Sequence, residues 1–247
     1  MRWGRLAAEN HRGVLVPRAL GPLLAAAALA WTAAYDLLRE VGPEAWTLLL
    51  GGLLVSAAGL VDDLVPTGPR GLRGHLRALA GGRVTTGIVK AVVTIGASVV
   101  VVARLGPGAA WEAVAAVGLL AASANVWNGL DVRPGRALKA YLPIGLAFVL
   151  AGDVAAAPVA LGVFLGALVA LPFDLRELAM LGDAGSNLLG FSAGLGLVLI
   201  LPGWALALAA AVAVALNLVA ETMTFSRAIE RARPLRWLDG LGRLRRD

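Results

Sequence analysis

Apolar runs long enough to cross a bilayer alternate with short polar segments along the whole chain. A spanning helix needs about 20 predominantly apolar residues, and eight segments stand out on that measure: 19–38, 45–61, 84–103, 109–129, 140–152, 154–172, 186–201 and 204–224. The fifth and sixth are separated only by Gly152 and Asp153, which predicts a tight hairpin or a single broken pair. The connections fall into two classes. Those at 1–18, 62–83, 130–139, 173–185 and 225–247 are polar, whereas those near 39–44, 105–108, 152–153 and 202–203 are brief and rich in Gly and Pro. None is long enough to build a soluble core of its own. The expectation is an all-α integral membrane protein, a single polytopic domain over 1–247 with about eight transmembrane helices. Small residues such as Gly51, Gly52, Ala57, Ala58 and Gly59 suit close packing between spans.

Charge adds an orientation. Of the 22 Lys and Arg, all but Arg39 and Arg104 fall in or beside the polar connections, and the positive-inside bias then puts that face and both termini in the cytoplasm. Composition agrees with a membrane protein, at 59% hydrophobic and a mean hydropathy of +0.78. The net charge of +6 would suit nucleic acid if the arginines formed one soluble face, but they flank spans, which points to lipid headgroups. With no cysteine there is no disulfide framework, Cys-ligated zinc site or iron–sulfur site. His11 and His75 are too far apart for a spaced metal motif. Residues 1–18 are arginine-rich without a preceding apolar core, so they do not read as a cleavable signal. The basic tail 225–247 interleaves Leu235, Trp237, Leu238 and Leu241 with arginines, the pattern of an interfacial helix on anionic lipid or of a solvated cytoplasmic tail.

The acids collect on the same face. Asp62 and Asp63 end the second span, Asp131 follows the fourth, Asp174 and Asp183 bracket 173–185, and Glu221 lies just inside the last span. A single carboxylate at a membrane edge is often a solvated cap. The adjacent pair Asp62–Asp63 is harder to explain so, because its charges repel each other and are repelled by the C-terminal end of the helix dipole. A bound cation would relieve both, and hard oxygen ligands without His or Cys point to Mg²⁺, or Mn²⁺. Lys90, about one turn into the third span, either snorkels to the interface or is satisfied by a phosphate or one of these acids.

Two further stretches carry candidate chemistry. In "NVWNGLD" (125–131), Asn125, Asn128 and Asp131 recur every third residue and are expected near one face, where they could order water, metal or phosphate oxygens; their plainer role is to end a helix and form a turn. In "AMLGDAGSNLLG" (179–190), Gly182 and Gly185 permit a tight path around Asp183, and Ser186 is placed to cap the span after it, leaving a helix N-terminus suited to anions. No Gly-Lys-Ser/Thr comes next, so this is not a P-loop, nor is it a Gly-x-Ser-x-Gly elbow.

Taken in order, these motifs resemble those of the polyprenyl-phosphate N-acetylhexosamine-1-phosphate transferase superfamily, which includes the bacterial phospho-MurNAc-pentapeptide translocase and the GlcNAc-1-phosphate transferases. "NHRGVLVPRALG" (10–21) resembles the family's first cytoplasmic loop, "GLVDDL" (59–64) its paired-aspartate motif, and Lys90 falls where the family has a lysine. "NVWNGLD" resembles the start of its Asn-x-x-Asn-x-x-Asp-Gly-x-Asp-Gly signature, and "LPFDLRELAMLGDAGS" (171–186) the loop ending in Met-Gly-Asp-x-Gly-Ser. The resemblance implies an enzyme of the plasma membrane, active on its cytoplasmic face in cell-envelope glycan synthesis. Its partners would be a polyprenyl phosphate and a nucleoside-diphosphate sugar, usually a UDP-HexNAc, with homodimerisation left open. It also implies that Asp183 is a Mg²⁺ ligand, and that Asp62 and Asp63 position or deprotonate the lipid phosphate or help hold the metal. Lys90 would bind phosphate, with Asn125, Asn128, Asp131 and Ser186 lining the site.

The departures are specific. The family normally has ten spans, so a leading span and one other are expected to be missing here. Pro134 replaces the second aspartate of the Asp-Gly-x-Asp-Gly pattern, and Met180 replaces an aromatic two residues before the Gly-Asp. Those two family positions contribute to recognition of the nucleotide base. "PLRWLDGLGR" (234–243) stands where the muramoyl-pentapeptide branch has a histidine cluster, which argues against that substrate. Three readings are open: an active sugar-phosphate transferase, a catalytically reduced relative that binds polyprenyl phosphate or regulates envelope assembly, and a transporter. The transporter ranks last, because its charged residues would lie near mid-membrane.

Overall fold

Each apolar run becomes a helix. The computed structural model describes residues 6–65, 68–69, 71–106, 108–152, 156–220 and 225–243. Asp153 and Glu221 lie outside the described residues, as do the arginines at 2, 5, 70, 245 and 246. In chain order the elements are β1 (Ala7–Glu9), β2 (Leu15–Pro17), α1 (Leu20–Arg39), α2 (Pro43–Leu64), α3 (Leu72–Ala80), α4 (Thr86–Leu105), α5 (Ala110–Leu130), α6 (Arg136–Ala151), α7 (Ala157–Leu175), α8 (Gly182–Ile200), α9 (Gly203–Ala220), α10 (Phe225–Arg231) and α11 (Arg233–Gly240).

Seven of these helices, α1, α2, α4, α5, α7, α8 and α9, are long and apolar enough to cross a membrane. The eighth expected span, α6, has 16 residues with Pro143 inside it. At 1.5 Å per residue it rises about 24 Å, short of a hydrocarbon core of about 30 Å. The alternatives for 140–172 are resolved as two separate helices, α6 closing at Gly152, which takes the left-handed conformation with φ 69°. The fold is that of a helical, multi-pass membrane protein.

Helix α8 is the axis. It packs against α5, α2, α6 and α1, and small residues set the distance at each crossing. A Cβ on Gly21 of α1 would lie 2.5 Å from the Gly185 nitrogen. Gly59 of α2 lies directly against the Asp183 carbonyl, and Gly190 of α8 against the Ser123 carbonyl in α5. The 31 glycines of the chain therefore serve in part as helix contact points.

Three features depart from the sequence reading. The polar N-terminal segment contains a small antiparallel hairpin, with Ala8 opposite Val16. Its turn is organised by Asn10, whose Oδ1 accepts from the Arg12 and Val14 backbone N–H groups at 2.9 and 3.1 Å. Second, the 65–85 connection carries α3, and the basic tail carries α10 and α11. Third, α8 begins at Gly182, not at 186, so Asp183 sits in its first turn and Ser186 lies inside the helix. The Ser186 hydroxyl donates back to the Gly182 carbonyl at 2.9 Å, so it is no cap.

Candidate functional site

The cap of α8 comes from another helix. Asp63, at the end of α2, accepts the Ala184 backbone N–H on Oδ2 at 3.1 Å. A carboxylate there satisfies an open N–H group and meets the positive end of the helix dipole. Gly182 makes this approach feasible: its φ is +64°, and a Cβ on it would fall 2.6 Å from Asp63 Oδ2. Arg18, just before α1, closes the other side of Asp63, reaching Oδ1 at 3.1 Å and the backbone carbonyl at 2.9 Å.

Its neighbour Asp62 turns the opposite way. Lys90 Nζ lies 2.9 Å from Asp62 Oδ2 and 2.5 Å from Asp183 Oδ2, so one ammonium from α4 bridges carboxylates of α2 and α8. Thr86, in the first turn of α4, donates to the other oxygen of Asp62. The two adjacent acids avoid mutual repulsion by taking separate cations, Arg18 and Lys90.

Asp183 belongs both to this chain of contacts and to a cavity of about 270 Å³ at the same end of the bundle. Its wall also carries Arg18, Asp63, Asp131, Arg133 and Asp174. Asp174 is held by the Gly135 backbone N–H at 2.8 Å. The carboxylate of Asp131, the C-cap of α5, has no hydrogen bond or ion pair among the described residues. Burial and the carboxylates of Asp174, Asp183 and Asp63 push its pKa well above the ordinary value. On the rim, burial and Arg133 push the His11 imidazole below its ordinary value.

The three-residue spacing of the asparagines does not put them on one face. Each step of three turns a helix about 60° short of a full circle, so Asn125 and Asp131 diverge by about 120°. Asn125 faces α9 and donates to Asn217, away from the cavity, while Asn128 donates to Asn187 on α8 at 3.4 Å. Asp131 alone of the three lines the cavity. Asn187 was not singled out in the sequence; it is buried, and its Nδ2 has no partner among the described residues. Nor were Thr86 and Arg18 marked as site residues, although Thr85–Thr86 at a helix start was a legible capping signal, Thr85 Oγ1 accepting from the Ile88 N–H.

The cavity's carboxylates suit a hard divalent cation in chemistry, Asp131 beside Asp183 lacking a compensating donor among the described residues, while His11, Asn10, Arg18 and Arg133 share the same wall. Among the described residues no three His, Cys, Asp or Glu side chains form a metal-holding group by themselves. Mg²⁺ is commonly held by one or two carboxylates, with water and substrate phosphates completing its shell.

The 131–135 turn that borders the cavity and the first turn of α6 after it are tied to the C-terminal tail. Arg136 grips Asp239 with Nε and Nη2 at 2.8 and 2.9 Å and Ser226 at 2.9 Å. Lys139 donates to the Leu238, Asp239 and Leu241 carbonyls at the end of α11. Arg243 reaches the Pro134 carbonyl at 2.9 Å. Although burial works against ionisation of Asp239, Arg136 and Arg243 outweigh it and hold the carboxyl below its usual range.

No family model, curated protein or solved structure matches this chain.

Proposed function

We propose that the chain transfers a sugar-1-phosphate from a nucleoside-diphosphate sugar, with UDP-HexNAc the first donor to test, to a polyprenyl phosphate on the cytoplasmic face of the plasma membrane. One observation carries the reading: Asp62, Lys90 and Asp183, from three helices and up to 121 positions apart, form one hydrogen-bonded chain that opens on the Asp131-lined cavity.

In this reading a polyprenyl-phosphate oxygen forms a bond to the sugar-linked phosphorus of the donor. The bond from that phosphorus to the bridging oxygen breaks, and the nucleoside monophosphate leaves with the electron pair. Lys90 holds a phosphate, exchanging one carboxylate partner for it, and Asp62, freed from Lys90, positions the lipid phosphate or takes its proton. Asp63 keeps α8 and hence Asp183 in register. Mg²⁺, held by Asp183 and Asp131, would neutralise charge on the diphosphate. Arg18 and Arg133 face the same anionic groups across the cavity.

The test incubates purified protein with Mg²⁺, undecaprenyl phosphate and a panel of UDP-, CDP- and GDP-sugars, measuring nucleotide release and lipid product. Asp183→Asn should lower turnover by about 10²–10³-fold, and a wild-type rate in that variant would sink the proposal. A second reading, a reduced relative that binds polyprenyl phosphate without turnover, draws on Pro134 and Met180, which line the cavity where the resembling family places base-recognition residues. Lipid-phosphate binding with no product from any donor would favour it. Asp62, Asp63, Asp131, Asp174 and Asp183 stand at one end of the bundle and not near mid-membrane, which leaves the transporter reading last.

A further inference from the structure

Two short helices at the cavity end of the bundle carry apolar faces that no described residue covers. Helix α3 exposes Leu76 and Leu79, with Arg73 and Arg77 beside them. Helix α11 exposes Leu235, Trp237 and Leu238, continued by Leu241, with Arg233 and Arg236 on the other side. Successive positions 100° apart place Trp237, Leu241, Leu238 and Leu235 on one arc of about 160°.

Both helices are fixed to the start of a bundle helix. His75 of α3 shares a 2.8 Å hydrogen bond with Thr85, the N-cap of α4, and its ring lies where a Cβ on Gly87 would be, 2.5 Å from Nε2. Helix α11 is held to the start of α6 by Arg136 and Lys139. Helix α3 is therefore moored at the start of the span α4 and α11 at the start of the shorter α6, which places both open apolar faces at the cavity end of the bundle.

Charge selects the kind of surface. From Leu64 to Trp111 the chain has no acid, so nothing nearby in sequence offsets Arg73, Arg77 and Arg83. In the described tail, Glu230 pairs with Arg133 and Asp239 with Arg136 and Arg243, while Arg227, Arg233 and Arg236 are exposed.

We propose that α3 and α11 form a pair of interfacial moorings that seat in the headgroup layer of an anionic lipid leaflet, leucines and Trp237 inward and arginines on the lipid phosphates. Such helices bind through buried apolar area plus attraction to anionic lipid. The seat of α11 bears directly on the loop that carries Asp131, Arg133 and Pro134. The proposal does not depend on the transferase reading, and its test does not use turnover.

The absence of cysteine allows single-site labelling. Leu76→Cys and Leu238→Cys, spin-labelled, would be placed in nanodiscs holding one copy or two, in phosphatidylcholine alone or with one-third phosphatidylglycerol. Collision with oxygen reports lipid and collision with a water-soluble nickel chelate reports solvent, with Leu208→Cys in α9 as the lipid-facing reference. In the anionic discs both labels should behave like the reference, and Arg77→Gln should lower the seated-to-free ratio of α3 about fivefold. Labels equally open to nickel in both lipids would overturn the proposal. So would equal burial in both, which removes the anionic selectivity, and burial only in discs with two copies, which hands the face to a second chain.

Discussion

Helices α8 and α9 are consecutive in sequence and nearly equal in length, 19 and 18 residues, but they occupy opposite environments. The less hydrophobic one is inside: α8 has a mean hydropathy of 1.3 and 72% of its window buried, against 2.1 and 17% for α9. In water the order would be reversed. In a bilayer, lipid tails are as apolar as leucine, so hydrophobicity does not drive a helix inward, whereas small residues that allow close contact and polar residues that need partners do. Glycines at 185, 190, 194 and 196 bring neighbours onto α8, while α9 turns Leu208, Val212 and Leu218 outward.

The contrast can be broken most directly at Gly190. In Gly190→Leu the side chain is driven into the Ser123 carbonyl, and a loss of about 3 kcal/mol is expected, seen as a lower unfolding temperature and loss of monodisperse protein in detergent. Val212→Leu on α9 should change stability by less than about 0.5 kcal/mol. Equal losses at the two positions would remove the distinction. A smaller effect is expected at Asp63, where Asp63→Ala should cost about 2 kcal/mol through the lost cap and dipole contact. Hydrogen exchange should then rise first at 182–186; a uniform rise along α8 would contradict the capping role.

The smallest effect belongs to the tail beyond α9. That tail is held by Asp239, whose carboxyl is depressed in the folded protein, so its contribution is full above the ordinary carboxylate value and is lost as pH falls through the lower, folded one. Acidification below about pH 4 should release 225–243 to exchange while the spans stay protected. Asp239→Asn should show the same release already at neutral pH.

The helices were legible because a bilayer imposes a length and a polarity on every span, and the eight apolar runs match eight helices to within a few residues. The start of α8 was not, because Gly182, Asp183 and Gly185 read locally as a turn; the carboxylate that makes them helical lies 121 positions earlier in α2. At the candidate site, residue identity was readable and direction was not. Asp62 and Asp63 were marked as a pair, yet their separation onto Lys90 and Arg18 depends on how three helices cross. Asn125 was misplaced by a spacing that approximates a helical turn but drifts, and the Arg136–Asp239 grip, 103 positions apart, has no local signal.

The Asp63 cap also joins segments that are synthesised far apart in time. Ribosomes deliver α2 to the membrane long before α8, which then emerges with weak apolar character, an acid in its first turn and a buried asparagine one turn deeper. Such a segment gains little from lipid alone. Its partners in the fold are the Asp63 carboxylate, the Ser56 hydroxyl that donates to the Ala184 carbonyl, and glycines such as Gly21 and Gly59, all earlier in the chain. The four helices that pack most closely on α8 all precede it in the chain.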